Sequence, residues 1–118
     1  MNVKSKNLTK IAHINAQSLL AHIDQIKFQL QKNDIDVLAV SETWLKPEVK
    51  TNSFCNRLEY IFVRNDRLEK TGGGVGFFIR KGIKHKILCA PEYKLLAVEQ
   101  MWVELFLPNG RLALGVVY

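Results

Sequence analysis

Cysteine is nearly absent: Cys55 and Cys89 stand far apart, with no CxxC spacing and no Cys/His cluster around either. That excludes a disulfide framework and a thiolate zinc site, and both residues are expected to be reduced thiols. No apolar run approaches the length of a membrane span, and the polar, basic first ten residues have no apolar segment behind them. The protein is therefore expected to be soluble and intracellular, with no membrane partner. Internal repeats and low-complexity tracts are also missing, so nothing points to a repeat array or a disordered linker.

What is present is enough for a core. Hydrophobic residues make up 47% of 118, which fits one compact α/β unit. Acidic residues are outnumbered, 17 Lys plus Arg against 11 Asp plus Glu, leaving +6. A surplus of that size favours polyanions through phosphate attraction, although inert basic domains are common.

Residues 10–14 read as a short strand, after which Ser18 can cap a helix with Leu19, Ile23, Ile26 and Leu30 on one face. Asn33 and Asp34 end that run. Asp36 then opens Val37, Leu38, Ala39 and Val40, a continuous apolar stretch suited to a strand covered on both faces. Strand, helix and strand in this order form a βαβ unit with parallel strands.

Beyond Thr43 the pattern changes. Pro47, Asn52, Ser53 and Asn56 mark a loop, residues 59–63 a strand, and Gly72, Gly73 and Gly74 a turn feeding a strand over 75–80 that Gly82 closes. A weaker strand signal covers 84–89 and a loop 91–95. A strand over 99–107 ends at the turn residues Pro108, Asn109 and Gly110, and 112–118 pairs back against it. The expected fold class is α/β: a β-α-β unit followed by an antiparallel meander, with a mixed sheet, forming the N-terminal part of a two-sheet α/β sandwich. Residues 1–9 are read as a polar tail and 10–118 as a partial domain. Since 115–118 is still strand-like, with no terminating turn or polar tail behind it, the expectation is a truncated reading frame or gene fragment.

Asn15 and Glu42 fall just past the apolar parts of the two parallel strands, at the sheet edge where open α/β folds place ligands. Tyr118 ends a third strand. If that strand runs compatibly, an amide, a carboxylate and a phenol meet on one edge, which suits a hydrated Mg²⁺ and a phosphodiester better than a nucleophile triad. Each residue alone has an ordinary reading, as a turn residue, a solvated strand end and a half-buried aromatic. His13 shares the strand face of Asn15 and is expected to be packed, and His22 and His85 read the same way. The glycine run lacks the Lys-Ser/Thr of a P-loop and is taken as a turn. Arg64, Arg67, Lys70, Arg80, Lys81, Lys84 and Lys86 form a basic surface along the meander. Trp102 is expected in the core, while Trp44, directly after the Glu42 loop, is expected near the site.

The stretch Ile11-Ala12-His13-Ile14-Asn15-Ala16-Gln17-Ser18-Leu19 resembles the opening motif of the endonuclease/exonuclease/phosphatase superfamily, in its non-LTR retrotransposon branch. Asp36-Val37-Leu38-Ala39-Val40-Ser41-Glu42-Thr43-Trp44-Leu45 resembles that branch's second motif, whose glutamate binds the catalytic metal. Arg64-Asn65-Asp66-Arg67 with Gly72-Gly73-Gly74-Val75-Gly76, and finally Val116-Val117-Tyr118, resemble later segments of the same proteins. Together these cover about residues 10 to 118.

The resemblance implies a Mg²⁺-dependent DNA endonuclease in which water attacks a phosphodiester. It implies Glu42 as metal ligand, Asn15 as a group orienting the phosphate or the metal's waters, and Tyr118 as hydrogen-bond donor to the phosphate. Arg64, Arg67 and Trp44 become candidate DNA contacts. The parent would act in the nucleus, with a reverse transcriptase in the same polyprotein. Gln17 replaces the aspartate of repair-type members, as in many retrotransposon-type ones. The aspartate–asparagine pair and terminal aspartate–histidine pair of the superfamily's second half are missing, so the isolated chain is expected to be inactive. Two rivals stand beside this reading: a phosphatase or phosphodiesterase of the same superfamily acting on inositol phosphates or lipids, and a non-catalytic remnant that binds nucleic acid.

Overall fold

A computed structural model of the chain describes residues 8–68, 72–91 and 98–118. Most of the expected 91–95 loop, Lys70, and residues 1–7 of the expected tail lie outside the described residues.

Strand β1 (Ile11–Asn15) runs parallel to β2 (Val37–Ser41), and between them a 3-10 turn at Leu20–His22 leads into helix α1 (Ile23–Lys32). The helix therefore starts later than the sequence suggests. Ser18 is the N-cap of neither segment, although its hydroxyl accepts the Ala21 amide at 3.3 Å. The apolar stripe behaves as expected, with Leu19, Ile26 and Leu30 buried and Ile23 packed beside them.

The short helix α2 (Asn52–Cys55) interrupts the expected loop, and β3 (Tyr60–Asn65) follows it. The hairpin partner of β3, β4 (Val75–Arg80), inserts between β2 and β3, giving a mixed sheet of order β1-β2-β4-β3. The meander proper is thus confined to β5 (Lys84–Cys89), β6 (Gln100–Leu107) and β7 (Gly110–Val117), which form a separate antiparallel sheet. Two sheets with a helix over one of them make this an α/β sandwich.

Strand β2 explains the two layers. Its alternate residues Leu38 and Val40 join Phe62 and Phe78 under α1, while Val37 and Ala39 join Val75, Phe77 and Ile79 against Met101, Val103, Leu105 and Val116 of the second sheet. A strand apolar on both faces is what such a double core requires. At the opposite end of the first sheet from Asn15, Asp36 accepts the Lys10 amide at 2.8 Å and the Arg80 guanidinium at 2.9 Å, and Asp34 takes Arg80 as well. Arg80 is therefore a sheet staple, not part of an open basic surface. Asn65 joins the sheets by donating to the carbonyls of Pro91 and Gln100, each at 2.8 Å.

Trp102 departs from expectation. It is 37% exposed on the outer face of the second sheet, where its ring lies flat over Gly115, with its indole N–H donating to the Gln100 side chain at 3.0 Å. Strand alternation explains this: Met101 and Val103 take the inward positions on either side of it.

The two thiols are free and differ sharply in surroundings. Cys55 is buried, with its thiol raised above the ordinary range by burial against the weaker pull of Lys81 and Lys27, and it donates to the Tyr60 carbonyl at 3.3 Å. Cys89 is exposed. Since the thiolate is the reactive form, a colorimetric thiol reagent is expected to label Cys89 at once in the native protein and Cys55 only on unfolding. Equal rates at both would contradict this packing.

Candidate active site

The parallel register of β1 and β2 sets Asn15 beside Ser41, so Glu42, the next residue, leaves the sheet at the same carboxyl end. Asn15 is exposed there and is the last strand residue. His13, two residues earlier, is exposed instead of packed, and its Nε2 lies 3.2 Å from the buried Ser41 hydroxyl. Of the other histidines, His22 is exposed with Nδ1 at 3.0 Å from the Ser18 carbonyl, and His85 is half-buried.

The backbone around Glu42 is held in conformations that side chains seldom adopt. Glu42 and Trp44 have φ of 53° and 56°, and Gln17 and Ser18 have 44° and 86°. Left-handed non-glycine residues gathered in this way persist only where their surroundings over-determine them. Here the surroundings are backbone hydrogen bonds. Ser18 and Leu19 amides donate to the carbonyls of Glu42 and Thr43 at 3.1 and 2.9 Å, and Thr43 and Trp44 amides donate to those of Gly74 and Gly73 at 3.1 and 2.8 Å.

The glycine turn fits into this lacing for steric reasons. Gly74, at φ 87°, leaves no room for a Cβ against the Thr43 hydroxyl, and a Cβ on Gly73 would enter the Arg67 guanidinium. The glycines allow Glu42's loop and Arg67 to approach from two sides, which is more than the turn expected from sequence.

Arg67 pairs with Glu99, a carboxylate only 5% exposed, which also accepts the Gly74 amide at 2.7 Å. The Glu99 carbonyl accepts the Tyr118 amide at 2.8 Å, directly after β7. From there the half-exposed Tyr118 phenol comes under the charge of the Glu42 carboxylate. Its phenol is held above its ordinary pKa by burial and by the negative charges of Glu42 and Glu99, against an opposing influence from Arg67. Tyr118 is therefore a proton donor at neutral pH.

Glu42, Tyr118 and Arg67 thus converge, with Asn15 on the neighbouring strand end. Trp44, 46% exposed, borders the group through its contact with Gly72. Arg64 does not join them. Its guanidinium donates to the Lys46 and Val49 carbonyls at 2.9 and 2.6 Å and to Asp66 at 2.7 Å, stapling the loop before α2. Sequence reasoning missed Glu99 and Thr43. A single glutamate at the start of an apolar strand looks like a solvated strand end, and nothing local signals that it is buried.

Among the described residues no three His, Cys, Asp or Glu side chains group closely enough to hold a metal ion. With Glu99 committed to Arg67 and Gly74, the donors this edge offers among the described residues include the Glu42 carboxylate and the Asn15 amide. That set is too poor for zinc, but it fits a hydrated Mg²⁺, which keeps several waters and takes one or two carboxylates.

No protein-family model matches the sequence, and no curated protein matches it. Solved structures do match in fold. A Neisseria 3′ phosphatase, NExo, bound to a product DNA hairpin is similar at TM-score 0.58 and 18% identity, over 90% of this chain and 40% of its own. D. rerio TDP2 complexed with a single-strand DNA product gives 0.64 and 16%, over 95% and 46%. An AP endonuclease from Archaeoglobus fulgidus gives 0.57 and 16%, over 86% and 38%. At these identities the likeness is one of fold, and the chain spans less than half the length of each.

Proposed function

We propose that residues 10–118 carry the metal-binding and phosphate-facing part of a Mg²⁺-dependent DNA endonuclease of the non-LTR retrotransposon kind. The observation that carries this reading is the convergence of Glu42, Tyr118 and Arg67 at the carboxyl edge where Asn15 also ends. The DNA-processing functions named for the proteins of like fold support it, as does the net charge of +6.

Glu42 would hold Mg²⁺, with Asn15 orienting its waters, and the ion would neutralise charge on the scissile phosphate. Arg67 brings a fixed positive charge to the same place. Tyr118, kept protonated beside the Glu42 charge, would donate its hydroxyl to a non-bridging phosphate oxygen once DNA is bound. Trp44 offers an exposed ring for a base or sugar beside the phosphate. The activated water requires a general base, and this chain has none of the motifs that would supply one. The chain alone is thus proposed to bind the phosphate without cleaving it. The intact protein would act in the nucleus, beside a reverse transcriptase in the same polyprotein.

Plasmid nicking with added Mg²⁺ tests this, using the 118-residue chain beside a longer chain that continues through the second half of the fold. Nicking by the longer chain alone is the expected result. Hydrolysis of phosphoinositides without DNA nicking would move the assignment to a phosphatase of the same fold. Salt-sensitive DNA binding by both, with cleavage by neither, would favour the non-catalytic remnant.

A further inference from the structure

We propose that Glu99 is the positioning residue of this site: its carboxylate holds the glycine turn and the Arg67 guanidinium, while its backbone carbonyl holds the residue bearing the phosphate-facing hydroxyl. This deepens the reading above and rests on it for the roles of Arg67 and Tyr118.

Glutamate is rarely this buried unless paired, and Glu99 is paired on both oxygens. Oε1 accepts the Gly74 amide at 2.7 Å and Oε2 takes Arg67. The two partners come from different segments, so the carboxylate ties the Arg67 approach to the turn whose carbonyls hold Thr43 and Trp44. Glu42 sits immediately before those two residues. The carbonyl of Glu99 adds the third attachment by accepting the Tyr118 amide at 2.8 Å, just past the Gln100–Val117 rung of the β6–β7 ladder.

Arginine has wide rotamer freedom, and a guanidinium free to wander would have to be ordered when DNA binds. Here the ordering is already done. Arg67 lies in the glycine turn so closely that no Cβ fits at Gly73, and Glu99 fixes its far end. Preorganised charge of this kind lowers the cost of reaching the transition state. Arg80 with Asp36 is a comparable pair at the far end of the first sheet, and so provides an internal control.

The test compares wild type with Glu99→Gln, which keeps the shape and an acceptor for the Gly74 amide but removes the charge that holds Arg67. In ¹⁵N spectra of the 118-residue chain, the Arg67 side-chain N–H signals are expected to exchange with solvent about tenfold faster or more, while the Gly74 amide stays protected. In a chain that nicks DNA, kcat is expected to fall by about 10- to 100-fold with KM changed little. Asp36→Asn, which weakens the fold elsewhere, is expected to leave both readouts unmoved. Should Glu99→Gln fail to fold, Glu99→Asp keeps the charge on a shorter arm and is expected to loosen Arg67 in the same way. Arg67 signals unchanged in a folded Glu99 variant would overturn the proposal, as would a kcat loss matched by Asp36→Asn. Faster Arg67 exchange in a chain whose longer form never nicks DNA would uphold the tether and overturn the nuclease reading instead.

Discussion

Glu42→Ala is expected to abolish Mg²⁺-dependent plasmid nicking by a chain long enough to nick, with a loss of about 10³-fold or more. The size follows from the charge stabilisation a metal supplies, several kcal/mol, and from the rate law, in which about 1.4 kcal/mol is tenfold. Glu42→Gln is expected to lose nearly as much, because an amide keeps the shape but not the charge that holds a hard cation. Tyr118→Phe is expected to cost less, about 10- to 100-fold, the worth of one hydrogen bond to a charged group. Thermal unfolding separates chemistry from folding here. Glu42 is half-buried in a left-handed conformation, so removing its carboxylate should leave the melting temperature within a few degrees of wild type. Nicking retained by Glu42→Ala, in protein that melts normally, would remove Glu42 from the site and the metal with it.

How the site became legible depended on which interactions were local. The placement of Asn15 and Glu42 was readable because each lies just past an apolar run, and parallel pairing of two adjacent strands puts their ends together. The β4 bounds were readable for a similar reason, with three glycines before it and Gly82 after. Long-range partners were not readable. Arg64 and Arg67 look alike in sequence, two basic residues near a glycine turn. One became a loop staple because Asp66 and two carbonyls surround it, the other a candidate site residue because Glu99, just before β6, faces it. The insertion of β4 between β2 and β3 was hidden in the same way, since hairpin signals specify the β3–β4 pair but not which side of that pair meets β2. Trp102 stands among apolar neighbours in sequence, and its outward place follows from their alternation and not from their number. Its neighbours are buried because they face the first sheet, and it faces away.

Phe78→Ala is expected to be among the most damaging substitutions in the chain, costing about 3–5 kcal/mol. Phe78 is fully buried in β4, beneath the α1 stripe, with its ring 4.5 Å from that of Phe62 and 6.5 Å from that of Tyr60. Those partners come from the neighbouring strand, and Leu38 is its register partner in β2. The cavity would therefore open at the centre of the first sheet, where regular strands on both sides leave little room to collapse. A domain of ordinary stability has about 5–15 kcal/mol in total, so the variant would lie close to unfolding. The damage would reach the site through β4 itself, because the strand begins at Val75, next to the turn that holds Glu42's loop and Arg67. Urea unfolding followed by Trp44 and Trp102 fluorescence measures both effects together. A stability loss below about 1 kcal/mol, within the range of volume-conserving swaps, would show that the helix and first sheet are far less tightly packed than the burial of Phe78 requires.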